Sequence, residues 1–228
     1  MRTNWISLHH IPEGASVNLQ KTLAKNPRWE SGMELVQLVT GVFLLGFLQF
    51  HVMAVSTIIL GAAAFNKDAQ FLDEHYISYI GIPLVILAIF VHGLAAMRKA
   101  PWKFQEARVF LQHSRRLGHL DTWAWLVQIG TGMAVLVLGV IHIWSALLTW
   151  PIAAATSAAR VQGGYFSFLL ALLLVAEIHA MVGLYRILVK WSAYDRHKFV
   201  LHLIYATLFF VVLGLLALIV FLFINVKV

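Results

Sequence analysis

"LLVAEIHAMVGLYR" (residues 173–186) sets Glu177 and His179 two positions apart inside a run that otherwise reads as a membrane-spanning helix. An ionisable side chain near the centre of a bilayer costs at least ~2.5 to 3.5 kcal/mol, so it persists where it faces a partner, a cavity or a cofactor. This segment therefore speaks at once for a membrane fold and for a functional site inside it.

Outward from it, the apolar character recurs. Five stretches, 34–62, 77–98, 123–150, 165–190 and 200–225, are long enough to cross a hydrocarbon core of ~30 Å, which takes ~20 helical residues. With 61% hydrophobic and 12% charged residues and a mean hydropathy of +0.81, the chain lacks the polar surface that a soluble domain of its length needs. The expected fold class is an all-α integral membrane protein, five transmembrane helices in a bundle. Residues 1–33 form an N-terminal arm and 34–228 the five-helix domain.

The net charge of +7 raises the question of nucleic acid. That reading needs a basic face on a soluble fold, whereas here the basic residues cluster between apolar spans, so no nucleic-acid partner is expected. Fourteen of the seventeen Lys and Arg residues fall in the arm, in the loop after the second span and in the turn after the fourth. Lys67, Arg160 and Lys227 are left for the other side. The expected localisation is the inner (cytoplasmic) membrane, in which the positive-inside rule puts the N-terminus on the cytoplasmic side and the C-terminus outside. No apolar h-region lies between Met1 and Met33, so the arm is expected to stay uncleaved. The loop "RKAPWKFQEARVFLQHSRRLGHLDT" (98–122) mixes aromatic, aliphatic and charged residues. It suits a short surface helix lying against lipid headgroups or a soluble partner.

Cysteine is absent, which excludes disulfides, thiolate metal sites, iron-sulfur clusters ligated by this chain and covalent haem attachment through C-x-x-C-H. Histidine remains. His51, His92, His142 and His179 lie well inside the first four spans, one in each. A single intramembrane histidine can simply hydrogen-bond across helices. Four of them at two depths ask for more. At ~1.5 Å of rise per residue from each cytoplasmic end, His51 and His142 lie ~23 to 27 Å deep and His92 and His179 ~8 to 15 Å deep. Each pair can ligate one flat cofactor between two helices, and bis-histidine ligation of b-type haem is one way a bundle does this. Two haems stacked ~14 Å apart would form a transmembrane electron path. Zinc would need about four ligands converging on one ion, whereas these residues separate into two layers. A non-redox channel whose histidines line a proton path is a third reading.

A short internal repeat accompanies the outer pair. "QLVTGVFLLGFLQFH" (37–51) and "QIGTGMAVLVLGVIH" (128–142) share Gln, Thr, Gly and His at one spacing. Gly41, Gly46, Gly132 and Gly139 are expected to make room for a macrocycle beside the backbone, although small residues also serve ordinary helix packing.

The segments "HVMAVSTIILG" (51–61), "HGLAAMRKAP" (92–101), "HLDTWAWLVQIGTGMAVLVLGVIH" (119–142) and "AEIHAMVGLYRILVKW" (176–191) carry the four histidines in order. Over about residues 33–200 the chain resembles the dihaem cytochrome b membrane-anchor subunit of the quinol:fumarate reductase and succinate:quinone oxidoreductase family. The resemblance implies a complex of three subunits: a flavoprotein with covalent FAD that interconverts succinate and fumarate, an iron-sulfur subunit, and this anchor. It implies electron passage between the iron-sulfur clusters and a membrane quinone, menaquinone or a similar one, through two haems b. It leaves open a dimer of the whole complex. His51 and His142 would ligate the distal haem iron, His92 and His179 the proximal one. Gln37, Trp125 and Lys190 would contact proximal propionates and Arg160 a distal one; donors and positive charge at the membrane edge suit such anions. The family's quinol-site carboxylate belongs to the outer loop between spans one and two, which is shorter here; "FLDEHY" (71–76) offers Asp73 and Glu74. Glu177 would carry protons. An anchor of another oxidoreductase, of formate dehydrogenase or hydrogenase type, is the alternative.

Overall fold

The computed structural model describes residues 27–101, 103–191 and 196–225. Helix α1, Pro27–Ser56, continues through a 3-10 turn, Thr57–Leu60. Helix α2, Ala62–Glu74, leads into α3, Ile77–Met97. Helices α4, Phe104–Leu117, and α5, Leu120–Leu147, follow. The short α6, Ala154–Arg160, passes through a wide turn, Val161–Tyr165, into α7, Phe166–Trp191. Helix α8, Arg196–Phe223, closes the bundle. Among the described residues five helices are long and apolar enough to cross a membrane, and the chain is a multi-pass membrane protein.

The five spans start and stop within a few residues of the hydropathy limits, with two exceptions. Helix α1 begins at Pro27, inside the stretch read as an arm. Its polar first turns are held at the basic end of the bundle, called the inner end, by ion pairs to the end of α3: Arg98 to Glu30, and Lys99 Nζ to Glu34 Oε1 at 2.6 Å. Half-exposed pairs of this kind are worth ~0 to 1 kcal/mol, so they set the register of two helices more than they stabilise the fold. The second exception is the segment read as an outer loop, which is the helix α2. Gly61 at φ 111° and Tyr76 at φ 59° bracket it. The first conformation is open only to glycine at low cost, and together they turn the chain sharply in and out of the short helix.

Helix α1 packs on α3 and α5 on α7, and these two pairs meet chiefly through α1 and α7. Helix α8 lies outside, against α1 and α7. The outer end is tied by a buried apolar cluster in which Ile58 and Phe65 meet Ala158 and Val161 of the α6 turn and Leu218 and Phe221 of α8. At the inner end Tyr185 of α7 donates to Asp121 of α5 at 2.7 Å. Val39 of α1, Ile80 and Leu87 of α3, and Leu208 and Val212 of α8 are exposed and lie outside the cavity lining. That disposition is unfavourable in water and costs nothing against lipid tails. The amphipathic α4 ends at Gly118, whose N–H closes onto the Ser114 carbonyl at 3.0 Å, as a left-handed helix cap does.

Candidate cofactor site between the two helix pairs

Between α1/α3 and α5/α7 runs a cavity of about 1460 Å³ lined mostly by apolar side chains. It exceeds the ~300 to 1,000 Å³ of a single small-molecule site, and all four intramembrane histidines line it. The structure brings His51 to His142, ring centroids 6.0 Å apart, and His92 to His179, 6.4 Å apart. A metal with an imidazole on each side needs about 2.0 to 2.1 Å to each nitrogen. An imidazole with bonds near 1.33 Å adds ~1.15 Å from nitrogen to ring centre, so two rings on one ion stand ~6.4 Å apart. The inner pair stands at that spacing and the outer pair slightly closer. Each pair supplies two imidazoles, and among the described residues no group of three His, Asp or Glu gathers around a common point. Two imidazoles on opposite walls of an apolar slot would suit a haem, which needs few ligands from the protein.

The repeat occupies a different place from the one expected. Its Thr-Gly dipeptides face the inner pair, each against the histidine of the neighbouring helix. Thr40 Oγ1 lies 3.1 Å from His92 Nδ1, and Thr131 Oγ1 lies 3.1 Å from His179 Nδ1. A Cβ on Gly41 would stand 3.1 Å from His92 Cε1, and one on Gly132 3.0 Å from His179 Cε1. The reason is axial: Thr and Gly precede the repeat's own histidine by ten or eleven residues, or ~15 Å of helix, which is the offset between the two layers. Gly41 and Gly132 thus make room for a histidine ring. Gly46 and Gly139 have nothing within 4 Å of a built Cβ and line the cavity, so the expected space for a macrocycle is found at these two. The repeat relates α1/α3 to α5/α7 as two similar halves, and each histidine pair takes one member from each half.

At the inner end the cavity is bordered by Gln37, Lys99, Trp125, Gln128 and Arg186. Gln37 and Trp125 were expected there, and Trp125 leans on Phe110 of α4 with centroids 4.5 Å apart. The Lys190 side chain lies outside the described residues. Arg186 was missed, although seven residues after His179, two helical turns, put it on the same face. At the outer end Arg160 lines the cavity and donates to Thr149. Asp73 and Glu74 part company here. Asp73 is half-buried and lines the cavity, whereas Glu74 is exposed and accepts from Gln70 at 2.6 Å. Phe65, Asp68, Ala69, Leu72 and Asp73 line the cavity together. Their spacing is one face of a helix, and it adds Asp68, which a loop reading had no means of selecting.

Glu177 is fully buried and does not line the cavity. It faces α1, where Gln49 Nε2 donates to its Oε2 at 3.2 Å. The other carboxylate oxygen and Gln49 Oε1 are buried with no partner. An orphaned acceptor on each of two bonded side chains calls for a proton or a water.

Residues 105–224 match the family described as succinate dehydrogenase/fumarate reductase transmembrane subunit. The chain is 34% identical over 182 residues to the fumarate reductase cytochrome b subunit of Wolinella succinogenes, covering 75% of this chain and 71% of that protein. It is 32% identical over 171 residues to the fumarate reductase cytochrome b subunit of Helicobacter pylori strain J99, covering 70% and 67%.

Proposed function

Since the chain belongs to the succinate dehydrogenase/fumarate reductase transmembrane-subunit family, we propose that it is the anchor of such a complex and passes electrons between a membrane quinone, menaquinone or a similar one, and an iron-sulfur subunit. The observation that carries the proposal is the pair of imidazole couples, 6.0 and 6.4 Å apart, in two layers of one apolar cavity. His51 with His142 and His92 with His179 would hold two haems b, which when bound supply one-electron transfer along the cavity. The dicarboxylate chemistry, with FAD, belongs to a flavoprotein partner. Orientation follows the basic end: the partners dock at the cytoplasmic face of the inner membrane, and the N-terminus lies on that side.

The chain's own residues do the remaining work. Apolar walls exclude water, so the electron path is not short-circuited by solvent. Gln37 and Trp125 at the inner edge, and Arg160 at the outer edge, would hold the propionate anions, a role proposed for Lys190 as well. Quinol oxidation releases two protons with two electrons, and Asp73, half-buried at the outer mouth, is placed to take one of them. Glu177 carries protons through the bilayer beside the haems.

A pyridine haemochrome assay on the purified complex tests the central claim: two haems b per chain are expected, and a preparation without haem would sink it. A copurifying subunit with covalent flavin separates a fumarate reductase or succinate dehydrogenase from other anchored oxidoreductases. For the outer mouth, Asp73→Asn lowers quinol-driven turnover by ~10²-fold or more while an artificial donor still drives fumarate reduction. Glu74→Gln, on the exposed face, leaves both rates alone. Unchanged quinol turnover in Asp73→Asn moves the proton acceptor elsewhere, with Asp68 next to be substituted.

A further inference from the structure

Thr40 and Thr131 repeat one arrangement in the two halves of the bundle. Thr40 Oγ1 stands 2.7 Å from the Val36 carbonyl oxygen and 3.1 Å from His92 Nδ1. Thr131 Oγ1 stands 2.6 Å from the Val127 carbonyl oxygen and 3.1 Å from His179 Nδ1. A hydroxyl has one hydrogen and two lone pairs. In both halves the short bond to the carbonyl four residues earlier takes the hydrogen. What the hydroxyl turns to the ring is a lone pair, so the imidazole donates. Nδ1 then carries the ring proton and Nε2 is the bare nitrogen.

A separate contact to His179 of α7 agrees with the same tautomer. Gln128 Nε2 lies 3.3 Å from His179 Nε2, an arrangement that suits a bare Nε2. A haem held by His179 would use that lone pair in place of the Gln128 contact. Gly41 and Gly132 complete the seat, because a Cβ there would stand 3.1 or 3.0 Å from the ring and crowd it. The outer layer has no such seat at His142, whose Nδ1 is buried without a partner.

We propose that Thr40-Gly41 and Thr131-Gly132 are a duplicated positioning seat that fixes the tautomer of His92 and His179 and strengthens both as ligands, so that it tunes the inner haem and not the outer one. The proposal rests on the dihaem reading. An imidazole that donates through Nδ1 is a more basic ligand at Nε2. The more basic ligand favours ferric over ferrous iron, so the seat holds the inner reduction potential down. The threonines touch no reacting atom and act through the histidines.

The test is a redox titration of the whole complex, with the inner haem identified as the spectral component missing from His92→Ala. Thr→Val at either position keeps shape and volume and removes the acceptor. The inner potential is expected to rise in Thr40→Val and in Thr131→Val, and further in the double variant. The outer potential stays in place, and the inner low-spin ferric electron-spin signal shifts with the potential. Thr→Ser keeps the hydroxyl and returns wild-type values. Should valine cost the inner haem altogether, serine variants that retain it at the wild-type potential support the seat by the same logic. Three results overturn it: an unmoved inner potential in the fully loaded double variant, serine behaving as valine does, or both haems shifting alike. A wild-type complex without haem overturns the dihaem reading itself, which haem content determined beforehand makes distinguishable.

Discussion

His51→Ala and His142→Ala are expected to remove one and the same haem, the outer one, and to leave the inner haem in place. Haem content falls from two to one per chain in either variant, and the same component disappears from the reduced-minus-oxidised spectrum. The expectation follows from layering: the two rings face each other at 6.0 Å across helices α1 and α5, and neither approaches the inner couple on α3 and α7. Losing one of the two imidazoles would leave that haem a single protein ligand and an apolar slot enlarged by an imidazole. His92→Ala and His179→Ala remove the complementary component. If His51→Ala and His92→Ala abolished the same haem while His142→Ala spared it, the ligand pairs would have to be redrawn along helix neighbours instead of depth.

Glu177→Gln is expected to assemble with both haems and to lose quinol-driven fumarate reduction by ~10²-fold or more. Assembly is retained because glutamine keeps the volume of Glu177 and can still accept from Gln49 Nε2, the one bond made at Oε2. Turnover is lost because an amide cannot release and rebind a proton. Electrons moving inward from the outer mouth carry charge across the bilayer, at ~2.3 kcal/mol per charge per 100 mV. A proton moving with each electron cancels that work. The buried, orphaned Oε1, with an equally orphaned Oε1 on its bonding partner Gln49, is where such a proton would reside. The measurement is quinol:fumarate turnover of the variant complex in sealed vesicles, with haem content as the control for assembly. Full activity there would return Glu177 to the role of a helix-packing group.

Glu177 also shows how far sequence reasoning reaches at one residue. A helix advances ~100° per residue, so Glu177 had to point away from the haem side of His179, and it does lie outside the cavity. That it meets Gln49 of α1 was not legible, because the rotation of one helix says nothing about which neighbour stands opposite. Arg186 is the reverse case: its seven-residue spacing from His179 was open to inspection, and only the loop-and-charge census drew attention away from it. Residues 27–33 were read as an arm because hydropathy records contact with lipid. A helix continues past the hydrocarbon wherever its polar turns find partners, as Glu30 and Glu34 do on Arg98 and Lys99.

Quantities that run along one axis were settled by the order of residues alone: five apolar lengths, the side carrying the lysines and arginines, and the depth of each histidine at a constant rise per residue. Those suffice for a membrane bundle with two layers of imidazole. Quantities that depend on azimuth and packing were not. The Thr-Gly repeat was assigned to the histidine of its own helix, and the fold hands it to the histidine of the next. Asp73 and Glu74 were equivalent in a loop and became unlike once α2 turned one toward the cavity and the other toward solvent. Lipid makes the difference unavoidable, since tails offer apolar helices no hydrophobic reason to choose one face. The choice falls to small residues, hydrogen bonds and close fit between particular helices, and those exist only after the helices have met.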